Sequence, residues 1–312
     1  MSTLVVTVTS NANLSLALPH RLPDLSTQLG PVDHHCQYQG PFYDVYRGGV
    51  AEGVTQVPVA IKTFRTQADE QTNDLIREQY LREVRVYEFL GPDYPFVTEV
   101  LGIATIEGRP AIVMRYYANG DVVRYSRLNL YSAVEFIISL VEGVKYLHTN
   151  SPQIVHGDLH PSNIVVSDDG RALISGLGSA HVPGSTEYTA SEISASFRWA
   201  APELVVVNED DDTRPPTPTF ESDMWALAST VAQIITGKVP YHLSYPHQVV
   251  LLIISGVPPY DKASFVDAAK AVGVTRSEDL WHVLEQCWAM DPTRRLTVVQ
   301  FEAALRDVLG AS

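Results

Sequence analysis

The segment from Ile154 to Gly178, IVHGDLHPSNIVVSDDGRALISGLG, constrains the fold more than any other part of the chain. Ile164-Val165-Val166 and Ala172-Leu173-Ile174 are apolar runs joined by Ser167-Asp168-Asp169-Gly170, and Asp-Gly is a strong hairpin turn signal. Ahead of the hairpin, Ile154-Val155 reads as a short strand that delivers a polar loop into a cleft. That loop carries His156, Asp158, His160 and Asn163. Asp158 is placed to accept a proton from a hydroxyl, and Asn163, five residues on, offers a carbonyl oxygen suited to a hard cation. Gly176-Leu177-Gly178 ends the segment.

Upstream, the reading is mostly strands with one helix. Phe42 to Tyr46 and Val57 to Lys62 read as strands, the second ending in a cation. A helix over about Asp69 to Leu90 places Ile76, Tyr80, Val84, Tyr87 and Leu90 on one face, with Glu83 at its border. Ala111 to Met114 is another strand, followed by a turn over Arg115 to Asp121. A broad apolar helix runs from about Tyr131 to Thr149, so the chain changes from strand-rich to helix-rich near Tyr117 to Asn119. Downstream, Ser179 to Arg198 is rich in Ser and Thr and lacks periodicity. Ser222 is read as the N-cap of a helix that ends at Gly237, and Trp281, Leu284, Cys287 and Trp288 mark another helix. Residues 1–30 read as a tail, because Ser, Thr, Asn and Pro are frequent there.

A net charge of −14 argues against nucleic acid as a partner, since phosphate backbones need a basic surface. No window is apolar for the eighteen residues a membrane span requires, and the start of the chain lacks a secretory pattern. Cys36 and Cys287 fit reduced thiols, so the expected location is cytoplasmic. The acidic run Glu209 to Asp212 reads as a solvated loop.

In their joint order these pieces resemble the eukaryotic protein kinases, from about residue 31 to 309. Val59-Ala60-Ile61-Lys62 is similar to the V-A-I-K strand, the Asp158 loop to H-R-D-L-x-x-x-N, Gly176-Leu177-Gly178 to D-F-G, and Ala201-Pro202-Glu203 to A-P-E. The style is closest to tyrosine-kinase-like Ser/Thr kinases. The implied architecture is α+β and two-lobed: a small antiparallel sheet lobe with one helix (31–117), then a larger helical lobe (118–312). The resemblance implies a nucleotide pocket of Gly40, Val45, Ala60, Lys62, Glu83, Met114, Arg115 and Tyr117, with Lys62 paired to Glu83. Met114 is implied as gatekeeper, and the backbones of Arg115 and Tyr117 as adenine contacts. Asp158 would be the base, His160 its neighbour, and Asn163 a metal ligand. Glu203, Asp223 and Arg295 would be structural, with Arg295 bonded to Glu203.

The departures decide the functional expectation. Counting back from Val45, the three glycine positions of the phosphate loop hold Tyr38, Gly40 and Tyr43, so an aromatic plug is in question. Gly157 stands for the Arg that answers a phosphorylated activation segment, leaving Thr186, Tyr188 or Thr189 without that partner. His160 stands for a phosphate-binding Lys and is read first as a surface His. Gly176 stands for the metal-gripping Asp. Losing a metal clamp costs a factor of roughly a thousand in rate. Asp169 lies roughly 20 Å away along an extended chain and is no substitute. ATP is therefore the implied ligand while Mg²⁺ is disfavoured. The leading expectation is a pseudokinase that binds nucleotide weakly or without metal and acts as a scaffold through a protein partner. The alternative is a low-activity Ser/Thr kinase acting on a protein substrate, in which case Gly176→Asp should raise transfer if the rest of the site is intact. Neither reading involves nucleic acid or a membrane.

Overall fold

The computed structural model describes residues 22–33, 35–40, 42–53, 55–91, 94–128, 133–183, 196–205 and 216–310. Thr186, Tyr188, Thr189 and the acidic run 209–212 lie outside these. Two lobes are built as the resemblance implies. The first is an antiparallel sheet of β1 (Cys36–Gln39), β2 (Tyr43–Glu52), β3 (Thr55–Phe64), β4 (Val100–Ile106) and β5 (Arg109–Arg115). Its strand order is β1-β2-β3-β5-β4, so β3 is central. Among the described residues this lobe has one helix, α1 (Glu70–Leu90), capped by Asp69, whose side chain accepts from the backbone N–H of Thr72.

Both faces of β3 are buried, as alternation along a central strand requires. Phe64 packs with Ile76 and Val84 of α1, whereas Val59 and Ile61 form a second cluster with Leu25, Ala111 and Val113. Leu25 belongs to the stretch read as a tail. Residues 22–33 instead lie on the sheet: Leu25 N–H donates to Ile103 O at 2.8 Å, Ile103 N–H to Pro23 O at 2.9 Å, and Gly30 N–H to Gly49 O at 2.8 Å. The physical reason is that without Leu25, Leu29 and Val32 this face of the sheet would meet water. The spacing of Leu22, Leu25, Leu29 and Val32 was the available signal, masked by the polar residues between them.

The second lobe comprises α2 (Val122–Leu128), α3 (Ala133–Thr149), the hairpin β6 (Ile164–Val166) and β7 (Ala172–Ile174), and then α4 (Pro202–Val205), α5 (Phe220–Thr236), α6 (Pro246–Ile254), α7 (Lys262–Ala271), α8 (Ser277–Cys287) and α9 (Val298–Leu309). Val155 makes a single bridge to His181 where a strand was expected. The N-cap of α5 is Thr219, not Ser222; Ser222 is the reciprocal member of a capping box. Almost all of α5 is buried, and it anchors two ionic groups. Asp223 accepts from the backbone N–H of His156 at 2.7 Å and of Gly157 at 2.9 Å, fastening the Asp158 loop to the core. Arg295 donates to both carboxylate oxygens of Glu203 at 2.7 Å and to the carbonyls of Glu221 and Ala289. Among the described residues no helix is long and apolar enough to cross a membrane.

Candidate active site

The cleft between the lobes is walled above by one face of the sheet. Val45 pairs with Lys62 and Ala60 with Met114, which sets Val45, Ala60, Lys62 and Met114 on that face. Lys62 Nζ donates to Glu83 Oε1 at 2.9 Å and Oε2 at 2.6 Å, and Glu83 is 0% exposed. Glu88, farther along α1, instead accepts from the backbone N–H of Leu22.

The β1–β2 hairpin closes down onto this pair. Gly40 N–H donates to Tyr43 O at 2.8 Å, and Arg65 pins the tip by donating to Asp44 Oδ1 at 2.8 Å and Gly40 O at 2.6 Å. The Tyr43 ring folds beneath Gly40, where a Cβ would lie 2.7 Å from it, so a side chain at 40 would displace the ring. The ring centroid stands 3.9 Å from Lys62 Nζ, a cation–π distance. Burial first, and then the neighbouring Tyr38, Glu83 and Asp158, push the Tyr43 phenol far above its ordinary range, keeping it neutral. Tyr38 lies beside it with ring centroids 6.0 Å apart. The face of Lys62 that would meet phosphate is thus covered by an aromatic side chain of the protein itself.

At the crossover between lobes, Arg115 N–H is bonded to Glu99 O at 2.9 Å, and Tyr117 O accepts from Gly120 N–H at 3.2 Å. The guanidinium of Arg115 bonds Asp168 on the lower hairpin at 3.1 Å, an exposed link between lobes.

The lower wall gathers Asp158, His160 and Asn163. Asn163 Nδ2 donates to Asp158 O at 2.8 Å and to its Oδ2 at 3.2 Å, and lies 3.0 Å from His160 Nε2. His160 is buried, its ring 5.4 Å from that of Trp199, which overturns the reading of a surface histidine. The hydroxyl of Ser196 donates to Asp158 Oδ1. Burial acts to raise the Asp158 carboxyl, but His160 and the Ser196 hydroxyl outweigh it and hold the group well below the usual carboxylate range. An ionised Asp158 is able to orient a hydroxyl. Neither Ser196 nor Arg65 was singled out by motif, since each acts through a contact that depends on the fold.

Two glycines that replace family side chains are conformationally demanding. Gly157 has φ 76°, and a Cβ there would come within 2.7 Å of Ser179 O. Gly176 has φ 72°, and its Cβ would collide with Asn163 Oδ1. Asn163 leans into the space that a carboxylate at 176 would need. At the two positions that the resemblance assigns to a metal, Asn163 and Gly176, the side chains offer one neutral oxygen. Mg²⁺ in its kinase role does not fit this donor set.

The loop also carries a pH dependence. Burial holds the imidazole of His156 below its ordinary value, against the opposing pull of Asp223 and Asp158; His160 adds to the depression, and Nε2 bonds Ser175 O at 3.0 Å. His181 is likewise depressed, chiefly by burial. The unfolded chain therefore takes up these protons first as pH falls. Stability is complete above about pH 6.5 and declines below it. The denaturation midpoint should be lower at pH 5 than at pH 7.5; equal midpoints would mean that neither ring is buried as described.

The chain matches the protein kinase domain family over residues 39–306. It is 25% identical over 265 residues to a probable serine/threonine-protein kinase of Dictyostelium discoideum, covering 83% of this chain and 47% of that one. It is 24% identical over 277 residues to the tyrosine-protein kinase SRK2 of Spongilla lacustris, covering 86% and 67%. With the serine/threonine-protein kinase TNNI3K of Mus musculus it shares 26% over 222 residues, 69% of this chain and 25% of the relative. The chain thus spans about half, two thirds and a quarter of these relatives.

Proposed function

The chain belongs to the protein kinase family, and from that premise we propose that it is a pseudokinase, binding nucleotide weakly and without metal and acting as a signalling scaffold. Gly176 carries this reading: it has no side-chain oxygen to give a cation, and Asn163 fills the space beside it. Phosphoryl transfer depends on positioning and on neutralising charge at the phosphates, so a donor set without the gripping carboxylate loses most of its leverage. The self-satisfied Lys62, paired to Glu83 and capped by Tyr43, supports the same reading. The ionised Asp158 favours the second reading, a slow Ser/Thr protein kinase, since it retains the means to orient a protein hydroxyl.

Thermal shift with ATP, with and without Mg²⁺, tests the metal requirement. The expected stabilisation is small and the same in both. A shift that appears only with Mg²⁺ would contradict the proposal. Restoring the carboxylate should not repair the site, contrary to the simplest reading of the sequence. Gly176→Asp needs a left-handed backbone, which Asp tolerates better than most residues, but its Cβ collides with Asn163. The expected outcome is no gain in Mg²⁺ response and a loss of about 1–3 kcal/mol in stability. A gain in Mg²⁺-dependent ATP binding would show that Asn163 yields easily.

A further inference from the structure

Residues 22–33 precede the stretch that matches the protein kinase domain, residues 39–306, yet they are bonded across the sheet. At the β4 edge, Leu25 N–H and Pro23 O bond Ile103, and the Ser26 hydroxyl accepts from Thr105 N–H at 2.8 Å. Farther along, Ala51 N–H donates to Gln28 O at 3.0 Å and Asp33 N–H to Arg47 O at 2.7 Å, on the half of β2 that β1 does not reach. Gly102 makes room at the β4 end: a Cβ there would collide with Pro23 O.

The start of this segment also grips α1. Leu22 N–H donates to Glu88 Oε1 at 3.1 Å. The Leu22 side chain packs into the cluster of Phe64, Ile76, Val84 and Ile112 that joins α1 to the sheet, and against the larger core that holds Tyr87 and Val97. Asp24 lies near the same helix: burial first, and then the charges of Asp24 and Glu88, push the Tyr80 phenol up to about 12.

Glu83 and Glu88 stand about 140° apart around the helix axis, at 3.6 residues per turn. The helix is therefore held on two flanks, by Lys62 on Glu83 and by the segment on Glu88. We propose that residues 22–26 are a positioning strap for α1: their register on β4, passed through Leu22 to Glu88, holds the helix where Glu83 meets Lys62, and release of the strap opens that buried pair. Such an opening is local, confined to the elements the strap joins, and leaves the second lobe folded. The strap acts in the same way whether the site transfers phosphate or only binds nucleotide.

Hydrogen–deuterium exchange of the 312-residue chain, together with the rate of acylation of Lys62 by an activated ester, tests this. Glu88→Ala removes the acceptor for Leu22, and Gly102→Ala drives Pro23 off β4 from the other end. Each should speed exchange in the second half of α1 about tenfold, the size expected for losing a hydrogen bond to a charged group, and leave α5 unchanged. Alanine favours helix, so faster exchange in Glu88→Ala is not a loss of helical propensity. Lys62, buried in the parent, should acylate faster in both variants. Glu88→Gln keeps an acceptor oxygen and should stay close to the parent. An α1 that exchanges at the parent rate in either variant, an α5 that speeds up by the same factor, or a Lys62 that gains no reactivity would overturn the proposal.

Discussion

Replacing Tyr43 with alanine raises the affinity for a fluorescent ATP analogue roughly thirtyfold, by the following reasoning. The ring stands 3.9 Å from Lys62 Nζ in a buried setting. A desolvated cation–π contact is worth about 2 kcal/mol. While the contact is made, any phosphate must displace it, so its strength is subtracted from binding; at about 1.4 kcal/mol per tenfold, removal returns a factor of roughly thirty. Tyr43→Phe keeps the ring and should change affinity little, which separates the aromatic cap from the phenol's contact with Tyr38. Alanine without a gain, or a gain equally large with Phe, would mean that the cap is not what limits access to Lys62.

The second large effect concerns the pair beneath that ring. Glu83 is wholly buried and Lys62 nearly so. Removing one partner of a buried ion pair leaves an uncompensated charge, at a cost of about 3–5 kcal/mol, whereas replacing both by apolar groups is often close to neutral. Lys62→Met and Glu83→Leu should therefore each lower the denaturation free energy by about 3–5 kcal/mol, and the double variant should recover most of the loss. Singles within about 0.5 kcal/mol of the parent would show that water reaches the pair. The prediction treats the pair as part of the fold, which is what remains of it once Tyr43 occupies its phosphate side.

Much of this was legible in residue order. Val57–Lys62 read as a buried strand, and Glu83 stood at the border of an amphipathic helix, while its pairing with Lys62 was implied by the resemblance to kinases. Asp-Gly marked the β6–β7 hairpin. What escaped was whatever depends on three-dimensional closure. The lost glycines at Tyr38 and Tyr43 posed the question of a plug, but only the pinning by Arg65 shows how the ring is directed onto Lys62. The missing carboxylate at Gly176 was plain, whereas the collision that obstructs its restoration requires knowing where Asn163 leans. His160 was misread because a lone imidazole in a polar loop carries no sign of the Trp199 ring packed against it. The covering of the sheet by Leu25 and Leu29 was hidden by the polar residues around them, since composition averages over a stretch while burial selects single positions.

The most direct test of the central claim is the transfer of radiolabelled phosphate from ATP to a generic protein substrate with Mg²⁺ present, using Asp158→Asn as the background. A site with no carboxylate at 176 and with Lys62 capped should give incorporation indistinguishable from that background. Turnover of about 1–100 per second, as ordinary kinases achieve, abolished in Asp158→Asn, would contradict it.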